Sequence, residues 1–288
     1  MTRFLDLGHI DAPLLVFGGP YSNLRATTAI KAEAEARGIP PERVICTGDV
    51  VAYAAEPAAT TALIMDWGCV TVMGNCEESF GAGADDCGCG FDEGTACDVL
   101  SRQWYAYADA AMTPEMRAWM QATSRRVDFQ MGGRRFAVVH GSAETINEFV
   151  FERGDDAPKR ASLETLGVDA VIGGHSGVPY AQTIGERLWL NAGVVGMPAN
   201  DGTPRVWFAV LTPETDAIGI EILPLSYDHA AAAQAMRDRG LPEGYARCLE
   251  TGLWPNMDVM PEAEKNKVGQ EISPIRMVWP ALRATAAE

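Results

Sequence analysis

The sequence is short of positive charge. Of its 288 residues, 23 are lysine or arginine and 39 are aspartate or glutamate, which gives a formal net charge of −16. Proteins that bind nucleic-acid polymers need a basic surface to contact phosphates, so we expect no DNA or RNA polymer as a partner. A small phosphorylated molecule remains compatible with this charge, because a bound cation reverses the local field.

Long apolar segments are also missing. No run of apolar residues approaches the roughly 18 that a membrane-spanning helix requires. The first residues, 1–7, lack the apolar core of a secretory signal. We therefore expect no membrane partner and a cytoplasmic location, where most thiols stay reduced.

What is present is an alternation of short apolar runs and helical segments. Hydrophobic residues make up 47% of the chain, as is ordinary for a protein with a full core. Apolar runs predict strands at 13–17, 44–46 and 69–73, and helical periodicity predicts helices at 23–37 and 57–67. This β-α-β-α-β order is typical of an α/β fold with a largely parallel sheet.

The second half of the chain is predicted to be richer in strands. Residues 77–98 interrupt the pattern, and their glycines and cysteines predict an inserted loop, followed by one or two helices over 99–122. A main domain is therefore expected over 1–228, with C-terminal helices and an extended tail packed on it over 229–288. The remaining predicted strands are 126–130, 135–139, 169–172, 187–191, 205–211 and 217–224.

Four apolar runs end in polar residues that adjoin glycines. These residues are Asp49, Asn75, His140 and His175, and the chain has only four histidines in all. Each residue alone is typical of a cap or a turn, but four of them at the ends of strands indicate a shared site. One carboxylate, one amide oxygen and two imidazoles suit Mn²⁺, Fe²⁺ or Zn²⁺.

The order of these motifs resembles that of a known family. Gly48-Asp49, Gly74-Asn75, His140-Gly141 and Gly174-His175 are similar to motifs of the calcineurin-like metallophosphoesterase superfamily, especially its small bacterial phosphodiesterase branch. Segments 22–26, 48–53 and 191–198 resemble that branch as well, and the likeness runs from about residue 14 to 223. The resemblance implies a four-layer β-sandwich flanked by helices, here with a C-terminal helical extension, and two metal ions side by side.

The departures from the family pattern fall on one of the two metal positions. The family's Asp-x-His motif is Gly19-Pro20-Tyr21 here, and its Gly-His-x-His motif ends in Gly177. By the resemblance, the three missing ligands belong to one metal, while Asp49, Asn75, His140 and His175 belong to the other. We therefore expect an altered site with one divalent ion per chain, or two if other residues supply ligands.

The same comparison raises the question of a proton donor. The family's Gly-Asn-His-Asp motif reads Gly74-Asn75-Cys76-Glu77, so the usual histidine acid is absent. Tyr21, Cys76 and a metal-ordered water are the candidate catalytic acids. Tyr21 either contacts phosphate or fills space, and Asn23 either touches the substrate or caps the first helix.

The clustered cysteines leave three alternatives open. Their thiols complete the altered metal site, form a separate structural metal site or disulfide, or stay reduced. Their spacing differs from the usual CxxC pair of zinc sites. The four residues are Cys76, Cys87, Cys89 and Cys97.

These observations predict a metal-dependent phosphoesterase that acts on a small phosphodiester or nucleotide-type substrate through a metal-activated water. The sequence is equally compatible with a monomer or a homo-oligomer. Two alternatives remain: a non-hydrolytic protein that binds a metal or a nucleotide on the same fold, and a metalloenzyme of changed chemistry with cysteine ligands.

Overall fold

The strands of the protein pair into two six-stranded sheets. A computed structural model describes residues 4–90, 94 and 96–282, with the side chains of 96–98 left out. Within this part of the chain the strands, β1 to β12 in order, are Phe4–His9, Leu14–Phe17, Val44–Cys46, Val70–Thr71, Arg126–Met131, Arg134–Val138, Ala170–Gly173, Tyr180–Ile184, Arg187–Asn191, Val206–Pro213, Ala217–Leu225 and Ile275–Pro280.

Helices cover the outer faces of both sheets. Where the chain is described, α1 to α9 are Leu24–Ala36, Pro57–Trp67, Asn75–Ala82, Ala96–Asp109, Pro114–Ala122, Ala157–Leu166, His229–Asp238, Glu243–Thr251 and Glu262–Lys265. The first sheet has the strand order β1-β5-β6-β7-β9-β8, and the second has β12-β11-β10-β2-β3-β4. Strands β2, β3 and β4 run parallel, as do β6, β7 and β9, so within each group the carboxyl ends share one edge.

Alternating side chains produce the layers. In β2, Leu14 and Val16 face the opposite sheet, whereas Leu15 and Phe17 face the helices, because successive strand side chains point to opposite faces. A second helical layer covers the other sheet, where Leu163 of α6 packs on Trp189 of β9. The resulting helix–sheet–sheet–helix order confirms the predicted four-layer β-sandwich.

The predicted helices over 23–37 and 57–67 are observed as α1 and α2, and 99–122 contains two helices, α4 and α5. Strands β1 and β8 were not predicted. Both lie at the edges of the first sheet, and five of the six residues of β1 are exposed. An edge strand with so little burial carries no hydrophobic alternation, so the sequence offers no signal for it.

The expectation of a loop over the whole of 77–98 is wrong at both ends. Helix α3 already spans Asn75–Ala82, and α4 begins at Ala96. The glycine that suggested a loop serves helix packing instead: a Cβ on Gly81 would lie 2.8 Å from Gln121 Cγ of α5. Phe80 adds buried aromatic area by stacking on Tyr105, with ring centroids 4.4 Å apart.

The segment after residue 228 is partly integrated into the sandwich. Helices α7 and α8 pack into the core on the outer face of the second sheet, but β12 of the expected extended tail pairs antiparallel with β11. Trp279 of β12 is 4% exposed. The Arg134 guanidinium lies over the Trp279 ring, 4.4 Å from the centroid of that ring. None of the helices in the described ranges is both long and apolar enough to span a bilayer.

We predict that Trp279→Ala lowers the free energy of unfolding by about 3 kcal/mol, because it empties a large buried side chain from the sandwich core. Urea denaturation followed by circular dichroism measures this loss. The neighbouring Val278, 69% exposed, is the matched control, and Val278→Ala is expected to change stability by less than about 0.5 kcal/mol. Equal effects of the two variants would contradict the placement of the tail in the sheet.

Candidate metal centre

Four polar side chains meet where the parallel strands of the two sheets end. Asp49 follows β3, Asn75 opens α3 after β4, and His140 and His175 follow β6 and β7. The Nε2 atom of His140 is the hub, because it lies 3.1 Å from Asp49 Oδ2, from Asn75 Oδ1 and from His175 Nδ1. The structure thus brings together all four residues that the sequence predicts as metal ligands.

The donor set fits a divalent cation. The ligand atoms of Asp49, His140 and His175 all lie within 4.8 Å of one another, and the three residues are buried. Mixed carboxylate, amide and imidazole ligands are those that Mn²⁺, Fe²⁺ and Zn²⁺ accept. Asp49 and His175 have positive φ angles of 59° and 42°, in the left-handed region that side-chain-bearing residues rarely adopt. Such backbone strain concentrates at binding and catalytic sites.

Backbone and side-chain groups outside the cluster orient the two imidazoles. The Nδ1 atom of His140 lies 2.7 Å from the carbonyl oxygen of Thr47, to which it donates when Nε2 serves as a ligand. The loop of His175 is held by Asn191, whose Nδ2 donates to the Gly174 carbonyl at 2.7 Å and to Ser176 Oγ at 3.0 Å. These contacts fix ring positions before any ion binds.

The charges of the cluster are coupled. Burial opposes ionisation of Asp49, but the adjacent His140 outweighs it and lowers the pKa of the carboxyl. Burial likewise opposes protonation of His140, yet the Asp49 carboxylate prevails and raises the pKa of that imidazole. Burial, reinforced by the charge of His140, lowers the pKa of His175 to about 3. The cluster therefore combines an anionic carboxylate with a neutral His175, which is the state that a metal ligand needs.

Glu77 is a structural residue of the site to which the sequence analysis assigned no role. Its fully buried carboxylate accepts three backbone N–H bonds, from Asp49 at 2.7 Å, Val50 at 2.7 Å and Gly74 at 2.8 Å. It thereby ties the turn after β3 to the turn after β4. Burial and the charge of Asp49 raise the pKa of Glu77, and the three donors oppose that rise. The available signal was an acidic residue at the third position of a helix, as in a capping box.

An aromatic ring fills the space beside Gly19, where the resemblance implies a metal ligand in other family members. The Tyr21 side chain is buried and lies against Gly19, so that a Cβ at residue 19 would come within 2.5 Å of its Cζ atom. The ring also packs edge-on against Tyr53, with centroids 5.0 Å apart. An aspartate at 19 and this tyrosine rotamer therefore exclude each other. Tyr21 therefore fills this space, and its contact with phosphate stays a prediction.

Asn75 links the ligand cluster to the cysteine loop. Its Oδ1 faces His140, whereas its Nδ2 donates to the Cys87 carbonyl at 2.9 Å and lies 3.5 Å from Cys89 Sγ and 3.6 Å from Cys76 Sγ. Cys87 and Cys89 are joined by a disulfide, which is one of the predicted alternatives, and Cys76 is a free thiol. The side chain of Cys97 lies outside the described residues. The cysteine loop thus turns the amide oxygen of Asn75 toward the centre.

Asn23 caps α1, as one of its two predicted roles required. Its side-chain oxygen accepts from the Ala26 N–H at 3.2 Å, and its Nδ2 donates to the Gly196 carbonyl and to the Tyr227 hydroxyl, each at 3.1 Å. The residue is 1% exposed. A contact with substrate would therefore require some of these bonds to break.

We predict that Glu77→Ala lowers the free energy of unfolding by about 3 kcal/mol or more, because three buried N–H groups lose their acceptor. The neighbouring Glu78 is the matched control: it pairs with Arg125 at the partly exposed surface, so Glu78→Ala is expected to cost less than about 1 kcal/mol. Chemical denaturation compares the two variants. A Glu77 variant as stable as the Glu78 variant would refute the bracing role.

A double-mutant cycle tests whether the Tyr21 ring occupies the place of residue 19. Gly19→Ala introduces both a clash with the ring and strain from its φ of 38°. In a Tyr21→Ala background only the strain remains, so the cost of Gly19→Ala is expected to fall by at least about 1 kcal/mol. Gly38→Ala is the strain-only control, since Gly38 has a φ of 65° and no atom within 4 Å of an added Cβ. An unchanged cost in the two backgrounds would contradict the packing.

Comparison with known proteins agrees with this geometry. The family model of the calcineurin-like phosphoesterase superfamily domain matches residues 22–216. The uncharacterized protein MJ0912 of Methanocaldococcus jannaschii is 24% identical over an alignment of 261 residues that covers 84% of this chain and 99% of that protein. A metallophosphoesterase from Sphaerobacter thermophilus shares the fold with a TM-score of 0.67 at 20% identity, over 85% of this chain and 100% of its own. The hypothetical protein PH1004 of Pyrococcus horikoshii shares the fold with a TM-score of 0.70 at 15% identity, over 84% of this chain and 99% of its own. Because the family match spans more than half of the chain, this protein belongs to the calcineurin-like phosphoesterase superfamily.

Proposed function

We propose that the protein is a metal-dependent phosphoesterase that hydrolyses a small phosphodiester or nucleotide-type substrate. The observation that carries the proposal is the convergence of three ligand atoms on His140 Nε2. Asp49 Oδ2, Asn75 Oδ1 and His175 Nδ1 each lie 3.1 Å from it. Asp49 Oδ2 and His175 Nδ1 lie 3.9 Å from each other. These four side chains would hold one divalent ion. When bound, such an ion supplies Lewis-acid polarisation of the phosphoryl group and lowers the pKa of a coordinated water.

The protein's own groups prepare this site. The Asp49 carboxylate supplies the negative charge that a cation needs, and the neutral His175 imidazole supplies a lone pair. The Thr47 carbonyl holds the ring of His140, and the Glu77 carboxylate holds the backbone N–H of Asp49. Both ligands are therefore in place without a movement of their side chains. Burial of the cluster excludes bulk water and so strengthens every charge interaction inside it.

A single ion is the stoichiometry that the geometry supports. Tyr21 fills the space beside Gly19, and Gly177 offers no side chain where the family has its last histidine. The Asn75 side chain lies between the cysteine loop and His140, and Cys87 and Cys89 are joined in a disulfide, so neither offers a free thiolate as a ligand.

The leaving group is expected to meet Tyr21 rather than Cys76. Burial raises the pKa of both groups well above their ordinary values, so each keeps its proton at neutral pH. Tyr21 lines an open pocket together with His175, whereas the Cys76 side chain is almost fully buried and does not line it. We therefore propose that Tyr21 donates a hydrogen bond to the departing oxygen.

Elemental analysis and a hydrolysis assay on the purified protein test the proposal. We expect one divalent ion per chain and hydrolysis of bis(p-nitrophenyl) phosphate with added Mn²⁺. Asp49→Asn is expected to lower metal affinity by at least about tenfold and kcat by about a hundredfold or more, because it removes the charged ligand. Asp11→Asn, at an exposed carboxylate of the β1–β2 connection, is the matched control and is expected to change neither.

Each contrary result points to a definite alternative. A bound ion without hydrolysis would overturn the phosphoesterase and support a non-hydrolytic binding protein on this fold. Two ions per chain would overturn the single-ion centre. Loss of metal in a Cys87→Ser/Cys89→Ser variant would support the metalloenzyme with cysteine ligands.

A further inference from the structure

A pocket of about 70 Å³ lies directly beside the candidate metal centre. His175 forms part of its wall, and five aromatic side chains also line it: Tyr21, Tyr53, Phe149, Tyr245 and Trp254. Apolar and aromatic side chains with a few polar groups among them are the usual lining of small-molecule sites. The pocket is continuous with the site proposed above, because His175 and Tyr21 belong to both.

The pocket occupies the side from which the second metal position has been lost. Tyr21 and Gly177, which replace two of the family's metal ligands, both line it. Gly177 has a φ of 69°, and a Cβ there would meet Val194 at 3.4 Å and Trp254 at 4.0 Å, so any larger side chain would fill the space. Gly177 therefore leaves room, and Tyr21 supplies an aromatic surface, beside the four ligands.

The outer wall comes from the segment that follows α8. Trp254 is fixed by two hydrogen bonds: its backbone N–H donates to Asn200 Oδ1 at 2.8 Å, and its Nε1 donates to the Pro198 carbonyl at 2.7 Å. A wall held in this way is ready before the ligand arrives, which reduces the entropy lost on binding. On the opposite side the Phe149 ring lies 4.2 Å from the His175 ring, centroid to centroid.

The chemistry of the lining selects one kind of ligand group. The residues described around this pocket include no lysine, arginine, aspartate or glutamate, and their one basic residue is His175. A second phosphate or another charged group would therefore lose its hydration without gaining a partner. A flat, uncharged ring instead finds aromatic faces to stack on and displaces water from apolar surface.

We propose that this pocket binds a planar aromatic group of the phosphoester substrate, such as an aryl ring or a nucleobase, while the phosphate lies at the four ligands. This inference rests on the proposed function for the identity of the phosphate site. It goes beyond that function by naming the organic part of the substrate and the residues that select it. Trp254 is the main selecting residue, because it lies outside the ligand cluster and its position is fixed.

Binding of small monophosphates to the metal-loaded protein tests the proposal independently of turnover. Phenyl phosphate and methyl phosphate present the same charged group and differ only in the ring. Titration calorimetry is expected to give an affinity for phenyl phosphate at least about tenfold higher. Adenosine 5′-monophosphate is the third ligand: an affinity above that of phenyl phosphate would identify a nucleobase as the natural group, and a lower one an aryl ring.

Two variants locate the preference in the pocket. Trp254→Ala is expected to reduce the ratio of phenyl to methyl phosphate affinity to below about threefold, since it removes one aromatic wall. Val259→Trp is expected to do the same by filling the pocket, without removing any packing from the core. The matched control is Leu253→Ala, at an adjacent residue that is 42% exposed and does not line the pocket, and it is expected to keep the full ratio.

The outcomes separate this inference from the proposed function. Hydrolysis of bis(p-nitrophenyl) phosphate with equal affinity for the two monophosphates would overturn the aromatic pocket and leave the phosphoesterase standing. A preserved preference for phenyl phosphate without any hydrolysis would support the pocket and overturn the phosphoesterase. A preference that survives in both Trp254→Ala and Val259→Trp would also overturn the pocket.

Discussion

The three hydrogen bonds that the Glu77 carboxylate accepts are the constraint on which the site depends. They join the turn after β3 to the turn after β4, so that Asp49 and Asn75 hold fixed positions relative to each other. Asp49 lies in a left-handed backbone conformation that a free turn would leave. A fully buried carboxylate is tolerated here because each donor offsets part of its desolvation. The geometry of the centre is therefore set by a residue that does not belong to it.

A second theme is the side of the centre that also lines the pocket. The family resemblance implies metal ligands at the positions that Gly19, Tyr21 and Gly177 occupy here. The Tyr21 ring packs against Gly19, where a Cβ would clash with it, and the absence of a side chain at Gly177 leaves room beside Trp254. We propose that these residues turn this side of the centre into a surface for the organic part of the substrate.

The sequence predicted the fold well where burial is strong. Helices α1 and α2 and the central strands carry clear apolar periodicity, because each buries one or both faces. Prediction failed at the edge strands β1 and β8, of which β1 consists almost wholly of exposed residues that carry no pattern, and in α3, where Gly81 permits close packing on α5 rather than a turn. The sequence predicted an extended tail where β12 lies, because this strand forms by pairing with β11, which is distant along the chain. Long-range pairing leaves little trace in a local pattern.

By itself the sequence predicted the four candidate ligands, because each stands at the end of an apolar run beside a glycine, and its family resemblance predicted that one metal position is altered. Only the tertiary structure decided how these residues meet, with His140 at the hub, and which groups brace them. It also decided that Tyr21 fills space, that Asn23 is engaged within the protein, and that residues from the C-terminal segment complete a pocket beside His175. The physical reason is distance along the chain: His175 and Trp254 become neighbours of one cavity only when the loop containing Asn200 anchors the segment that follows α8.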